Sequence, residues 1–205
     1  MKLIVISSPA PIAGEQQRIN GLFEAGLECF HVRKPAYTKA QLRQLLQQIK
    51  PEHHAKIALH RHHELAGKFG IKRLHFTEEQ RSITPPEQLL KLRSEGFRLS
   101  TSVHSIEALK WLHPGFSYTF FGPVFDSISK PGYTSRVPHS FCLTAADKAV
   151  PVIALGGIDT GNISLIRSMN FDGAAILGSI WSHPDQAVEA FTKINEKCQA
   201  LAPMY

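Results

Sequence analysis

Cysteine is scarce in this chain. Its three thiols, Cys29, Cys142 and Cys198, are scattered without metal-ligand spacing, so no disulfide frame is expected and a reducing, cytoplasmic location follows. No apolar run approaches the ~20 residues that span a bilayer. The opening stretch MKLIVISSPAPIAG lacks a long apolar centre and is interrupted by Pro9 and Pro11, so it reads as a first buried strand rather than a secretion signal. A Pro/Gly/Ser-rich linker and charge blocks are also missing, and residues 1–205 are read as one domain. Lys and Arg outnumber Asp and Glu by 23 to 17, yet no basic run or aromatic-interleaved basic patch appears. This dispersed excess suits small anions such as phosphates; neither nucleic acid nor membrane is an expected partner.

What is present is an alternation. Strand-like runs at 2–8, 29–33, 56–61, 73–77, 98–103, 118–124, 151–157 and 173–179 are separated by helical patterns at 15–27, 38–49, 63–69, 85–95, 105–112, 144–149 and 161–169, with a last one at 184–200. In 38–49, for example, Leu42, Leu45, Leu46 and Ile49 recur at helical spacing. Strand followed by helix, eight times over, predicts an α/β fold, the (β/α)8 TIM barrel, with a doubly wound open sheet as the alternative.

In such a barrel, function sits at the C-terminal ends of the strands. There, ALGGID and AILGSI place Gly156, Gly157, Gly178 and Ser179 at the last two exits. Barrels often bind phosphate at these exits, because glycine lets backbone N–H groups approach a ligand. The plainer reading is a pair of tight turns. The long segment GPVFDSISKPGYTSR (122–136) offers Ser127, Ser129 and Lys130 as anion donors and a lid that closes, against a plain surface loop. His104 stands between RLSTSV and IEALKWL. It is either a proton shuttle, since imidazole titrates near neutral pH, or a helix cap in competition with Ser105. Alternation puts Ser102 on the same strand face as His104 and Val103 on the other. The run HHAKIALHRHH holds five histidines. His53 and His54 precede the strand and fall at the opposite end of the barrel from His60, while His62 and His63 are expected to face solvent. No metal site is expected there, because ligands must converge in space. His75 is expected to be a core or supporting residue.

Several of these segments resemble one family. FFGPVFDSISKPG is similar to the GPVF-x-T-x-TK segment of the thiamine phosphate synthase / thiazole tautomerase family. PVIALGGI with DGAAILGSI resembles its thiazole-phosphate-binding strands, STSVHS its G-x-S-x-HS motif and FHVRKP its QLREK motif. The resemblance runs from first strand to last and implies a (β/α)8 barrel. It also implies one of two activities. Synthases join a pyrimidine pyrophosphate to thiazole phosphate, release pyrophosphate and need Mg²⁺ on acidic residues. The tautomerase branch isomerises a carboxylated thiazole phosphate by proton transfer at the motif histidine.

The chain departs from the synthase pattern. The family's Asn-Asp after strand three corresponds to His60-Arg61, the acidic ligand after strand four to Gln80, and the QLREK lysine to Pro35, with Lys34 adjacent. Hard Mg²⁺ favours anionic oxygen. The expectation is therefore a tautomerase-like enzyme of thiamine biosynthesis without cofactor or metal. His104 would be the catalytic group. Arg61 or Arg33 would grip the substrate carboxylate, and His31 (in place of the family's Gln) and Ser102 would line the pocket. Two alternatives stand: a thiamine phosphate synthase with Mg²⁺ rebuilt on Glu78 or Glu79, and a non-catalytic thiazole-phosphate-binding regulatory paralogue. The expected partner is a small phosphorylated thiazole, and apolar outer-helix residues allow a homodimer.

Overall fold

Eight short parallel strands close on themselves in sequence order. They are β1 (Lys2–Ile6), β2 (Phe30–Val32), β3 (Ile57–Leu59), β4 (Arg73–Phe76), β5 (Arg98–Val103), β6 (Tyr118–Phe121), β7 (Val152–Leu155) and β8 (Gly173–Ile176). Closure comes from β8 against β1, in a register that pairs Lys2 with Gly173 and Val5 with Ile176. The barrel, not the open sheet, is therefore the fold. The structure is a computed structural model describing residues 1–126, 135, 137–138 and 140–200.

The helices are α1 (Glu15–Glu24), α2 (Lys39–Gln48), α3 (Ala66–Phe69), α4 (Glu78–Ile83), α5 (Pro86–Ser94), α6 (Ile106–Lys110), α7 (Ile163–Ser168), α8 (Gly178–Trp181) and α9 (Ala187–Ala200). No helix among the described residues is long and apolar enough to cross a membrane. Helix α4 was not anticipated. Thr77 accepts the Gln80 N–H, and Gln80 Oε1 accepts the Thr77 N–H at 2.9 Å, a reciprocal cap that starts a helix one residue past the strand. Conversely, the helix expected over 144–149 is only a 3₁₀ turn at Ala145–Asp147.

Strand alternation divides the interior in two. Leu3, Val5, Val103, Phe121, Val152 and Ala154 point outward into the main core beneath the helices. Ile4, Ile6, Cys29, Tyr118, Phe120, Ile153 and Ala175 form a separate cluster inside the barrel. Branched apolar side chains usually fill that space. Here one side departs from the rule, since His31, His60, His75 and Ser100 are buried there.

Two contacts shape the mouth. Trp181 Nε1–H donates to the Ile6 carbonyl at 2.7 Å and ties α8 to the β1 exit. Residues 122–126 lie directly on the β7 exit, with Val124 N–H donating to Leu155 O (2.9 Å) and Phe125 N–H to Gly156 O (3.2 Å). A Cβ on Gly157, at φ +63°, would stand 2.2 Å from the Asp126 carbonyl oxygen. The glycines of this exit thus do serve a close turn, whatever else they do.

Candidate active site

The strand exits surround a cavity of about 410 Å³. Its walls are apolar on the β1, β6, β7 and β8 side, from Ile6, Phe120, Leu155, Ile158 and Leu177. Polar groups stand opposite: Arg33, His60, His75, Thr77, Glu78, Ser102 and His104. Gly156, Gly157 and Gly178 close its far edge. Beside Gly178, the Ser179 hydroxyl is buried without a hydrogen-bond partner. A second recess of about 390 Å³ adjoins the first and shares Arg33, His60 and Thr77 with it. It is lined further by Lys34, Pro35, Arg61, Glu79, Gln80 and Ile83.

His104 reaches the cavity because the chain leaves β5 before α6 begins. Its Nδ1–H donates to the Gly122 carbonyl at 2.7 Å, which directs Nε2 away from that contact. The helix cap belongs to Ser105, whose hydroxyl accepts the Ala108 N–H at 3.2 Å. The two roles weighed for His104 are therefore divided between neighbours. Ser102 shares the cavity face, while Val103 is fully buried in the outer core.

Several expected placements are corrected. His31 lies beneath the cavity rather than along its wall, fully buried and held by Tyr118 and His60. His63 does not face solvent. The left-handed His62 (φ 54°) turns the chain back, and His63 Nε2 sits 3.0 Å from Leu59 O and 3.1 Å from His75 O. Lys34 is a poor candidate for substrate, because it forms a buried ion pair with Glu15 at 2.5 Å and also donates to Ala10 O. Burial pushes the Glu15 carboxyl up and the Lys34 ammonium down, and their mutual attraction opposes both shifts. Arg33 and Arg61 are exposed cations of the second recess, Arg61 steadied by the Pro35 carbonyl. Ser127, Ser129 and Lys130 lie outside the described residues. Thr77, Phe120 and Leu155 were not singled out from the sequence, although exit position and alternation from Tyr118 place them there.

The matched family is described as thiamine monophosphate synthase and covers residues 3–180, and the chain belongs to that family. A thiamine-phosphate synthase of Bacteroides fragilis is 28% identical over 84% of this chain and 88% of its own length. Another, from Chromobacterium violaceum, is 29% identical over 71% of this chain and 69% of its own. In structure, the thiamine phosphate pyrophosphorylase of Bacteroides thetaiotaomicron superposes with a TM-score of 0.76 at 26% identity, covering 99% of this chain and 100% of that one. These are transferases, so the comparisons support the synthase alternative and lend nothing to the isomerase expectation.

The family is Mg²⁺-dependent, but the residues at the two acidic positions do not fit that ion. Gln80 spends its amide oxygen on the α4 cap, and Arg61 puts a cation where a carboxylate is needed. Glu78 and Glu79 are consecutive on a helix and diverge, one lining each recess. Among the described residues, each recess is lined by one carboxylate rather than two. The cationic groups of the second recess that are not already paired with a carboxylate are the guanidinium groups of Arg33 and Arg61.

Proposed function

We propose that the chain is a transferase of the thiamine phosphate synthase type, joining a pyrimidine pyrophosphate to thiazole phosphate with loss of pyrophosphate. One observation carries this reading: two recesses share a wall, and they differ in chemistry. The larger has an apolar wall for a ring and a glycine edge for a monophosphate. The smaller presents Arg33 and Arg61. A leaving pyrophosphate takes the electron pair of the broken bond and gains negative charge, so fixed cations beside it lower the barrier. A carboxylated thiazole phosphate would engage the second recess with its carboxylate alone, whereas a pyrophosphate uses both guanidinium groups.

In this reading Gly157, Gly178 and Ser179 give backbone N–H groups to the thiazole phosphate, and the Ser179 hydroxyl is an added donor. Arg33 bridges the two ligands from the shared wall. The test is calorimetric. Thiazole phosphate and a non-reactive pyrimidine pyrophosphate analogue should bind together, one each per chain. Arg61→Ala should weaken the pyrophosphate by roughly tenfold or more, as loss of a charged hydrogen bond implies, and leave thiazole phosphate unchanged. Competition between the two ligands would contradict two subsites.

A second reading, isomerisation of a carboxylated thiazole phosphate, is favoured by His104, whose Nδ1 contact with Gly122 leaves one nitrogen for proton transfer.

A further inference from the structure

The proposed transferase reaction makes no use of the buried histidines on β2, β3 and β4. Register explains how they meet. His31 pairs with Ala58, and Ala58–Arg73 and Leu59–Leu74 pairing brings the next residues, His60 and His75, side by side. Their rings stack at 4.0 Å between centroids. His31 Nδ1 lies 2.9 Å from His60 Nε2. One ring nitrogen from each of the three lies within 4.8 Å of the others, and among the described residues no other group of three or more His, Cys, Asp or Glu converges in this way.

We propose that His31, His60 and His75 form a binding site for a borderline transition-metal dication of the Zn²⁺ or Co²⁺ class, its open position facing the cavity. Nitrogen ligands about 2.0–2.1 Å from a tetrahedral ion stand roughly 3.3 Å apart. To reach that spacing the His31 Nδ1–His60 Nε2 pair opens slightly from 2.9 Å, and the His75 ring rotates out of its stack on His60, giving up the 3.2 Å contact of its Nε2 with Ser102 Oγ. Orienting partners are in place for two of the three rings. Tyr118 Oη lies 2.6 Å from His31 Nε2, and Ser100 Oγ lies 3.0 Å from His75 Nδ1. Each can accept the N–H of the nitrogen turned away from the ion, which fixes the tautomer. Metal ligation requires unprotonated nitrogen. Burial holds all three imidazoles below their ordinary pKa, His75 at about 3.

Three neutral nitrogens without a carboxylate select Zn²⁺, Co²⁺ or Ni²⁺ over Mg²⁺ or Ca²⁺. His60 and His75 both border the cavity, so the fourth ligand comes from there. With Arg33 on the same wall, an anionic oxygen suits that position best, from hydroxide or phosphate.

The test uses the metal alone. Chelator-stripped protein titrated with Co²⁺ should develop the intense visible bands of a tetrahedral ion, saturating at one per chain, and Zn²⁺ should abolish them. His60→Gln and His75→Gln should each weaken binding by roughly 10-fold or more, while the surface control His183→Gln should not. Because buried variants can fail to fold, X-ray absorption on the Zn²⁺-loaded parent provides a variant-free reading. Three imidazole nitrogens near 2.0–2.1 Å are expected. An oxygen-dominated shell, an octahedral Co²⁺ spectrum, or undiminished binding in folded His60→Gln/His75→Gln protein would overturn the site. The triad would then be a neutral hydrogen-bonded relay only.

Discussion

His104 and Ser105 show how two adjacent polar residues divide their work. Ser105 accepts the Ala108 N–H and begins α6, whereas His104 donates to Gly122 O and borders the cavity. Removing the cap in Ser105→Ala should cost about 1 kcal/mol and lower the melting temperature without touching ligand contacts. His104→Asn should leave melting close to the parent. If the chain isomerises a carboxylated thiazole phosphate, this variant should lose that turnover by roughly 10²-fold. The melting curve of Ser105→Ala tests the cap before any substrate is added, and an unchanged melting temperature would remove the cap from Ser105.

Elements were legible where pattern and chemistry agreed. The eight strands stood out because parallel, fully buried strands concentrate β-branched and aromatic residues, as in KLIVI and YTFF. Helix α4 escaped because HFTEEQ carried two signals. Aligned to the family motif, Gln80 looked like a lost metal ligand; read locally, Thr77 and Gln80 are the two halves of a capping box. The histidine cluster inside the barrel was hidden for another reason. Its members come from three strands, and only closure and register bring them together. Thr144 and Asp147 form a similar box at the 3₁₀ turn. The Thr144 N–H and hydroxyl hold the Asp147 carboxylate below its ordinary pKa, with Lys110 adding to the effect. A depressed folded-state pKa stabilises the fold above the unfolded value, about 3.9, and that contribution disappears as pH falls through the depressed one. Asp147→Ala should therefore melt lower than the parent at pH 7. The gap should close as the medium becomes strongly acidic, read from melting temperature against pH. A gap independent of pH would mean that Asp147 acts through packing.

At the scale of the whole molecule, the barrel places a ring-sized apolar wall, a glycine edge and two guanidinium groups around one opening. The chain carries a net charge of +6, which favours anionic ligands in general. Family membership points to a transferase, and Arg61 and Gln80, which line the second recess, stand at the positions that the family resemblance would fill with acidic residues. Arg61 is the residue on which these observations converge. The most direct measurement is product formation from thiazole phosphate and the pyrimidine pyrophosphate, following thiamine phosphate and released pyrophosphate together, with and without Mg²⁺. The account predicts equimolar appearance of both products, and in Arg61→Ala a drop in kcat/KM of roughly 10-fold or more, as expected for a lost charge at the leaving group. Absence of both products under every metal condition, while a carboxylated thiazole phosphate is isomerised, would contradict it.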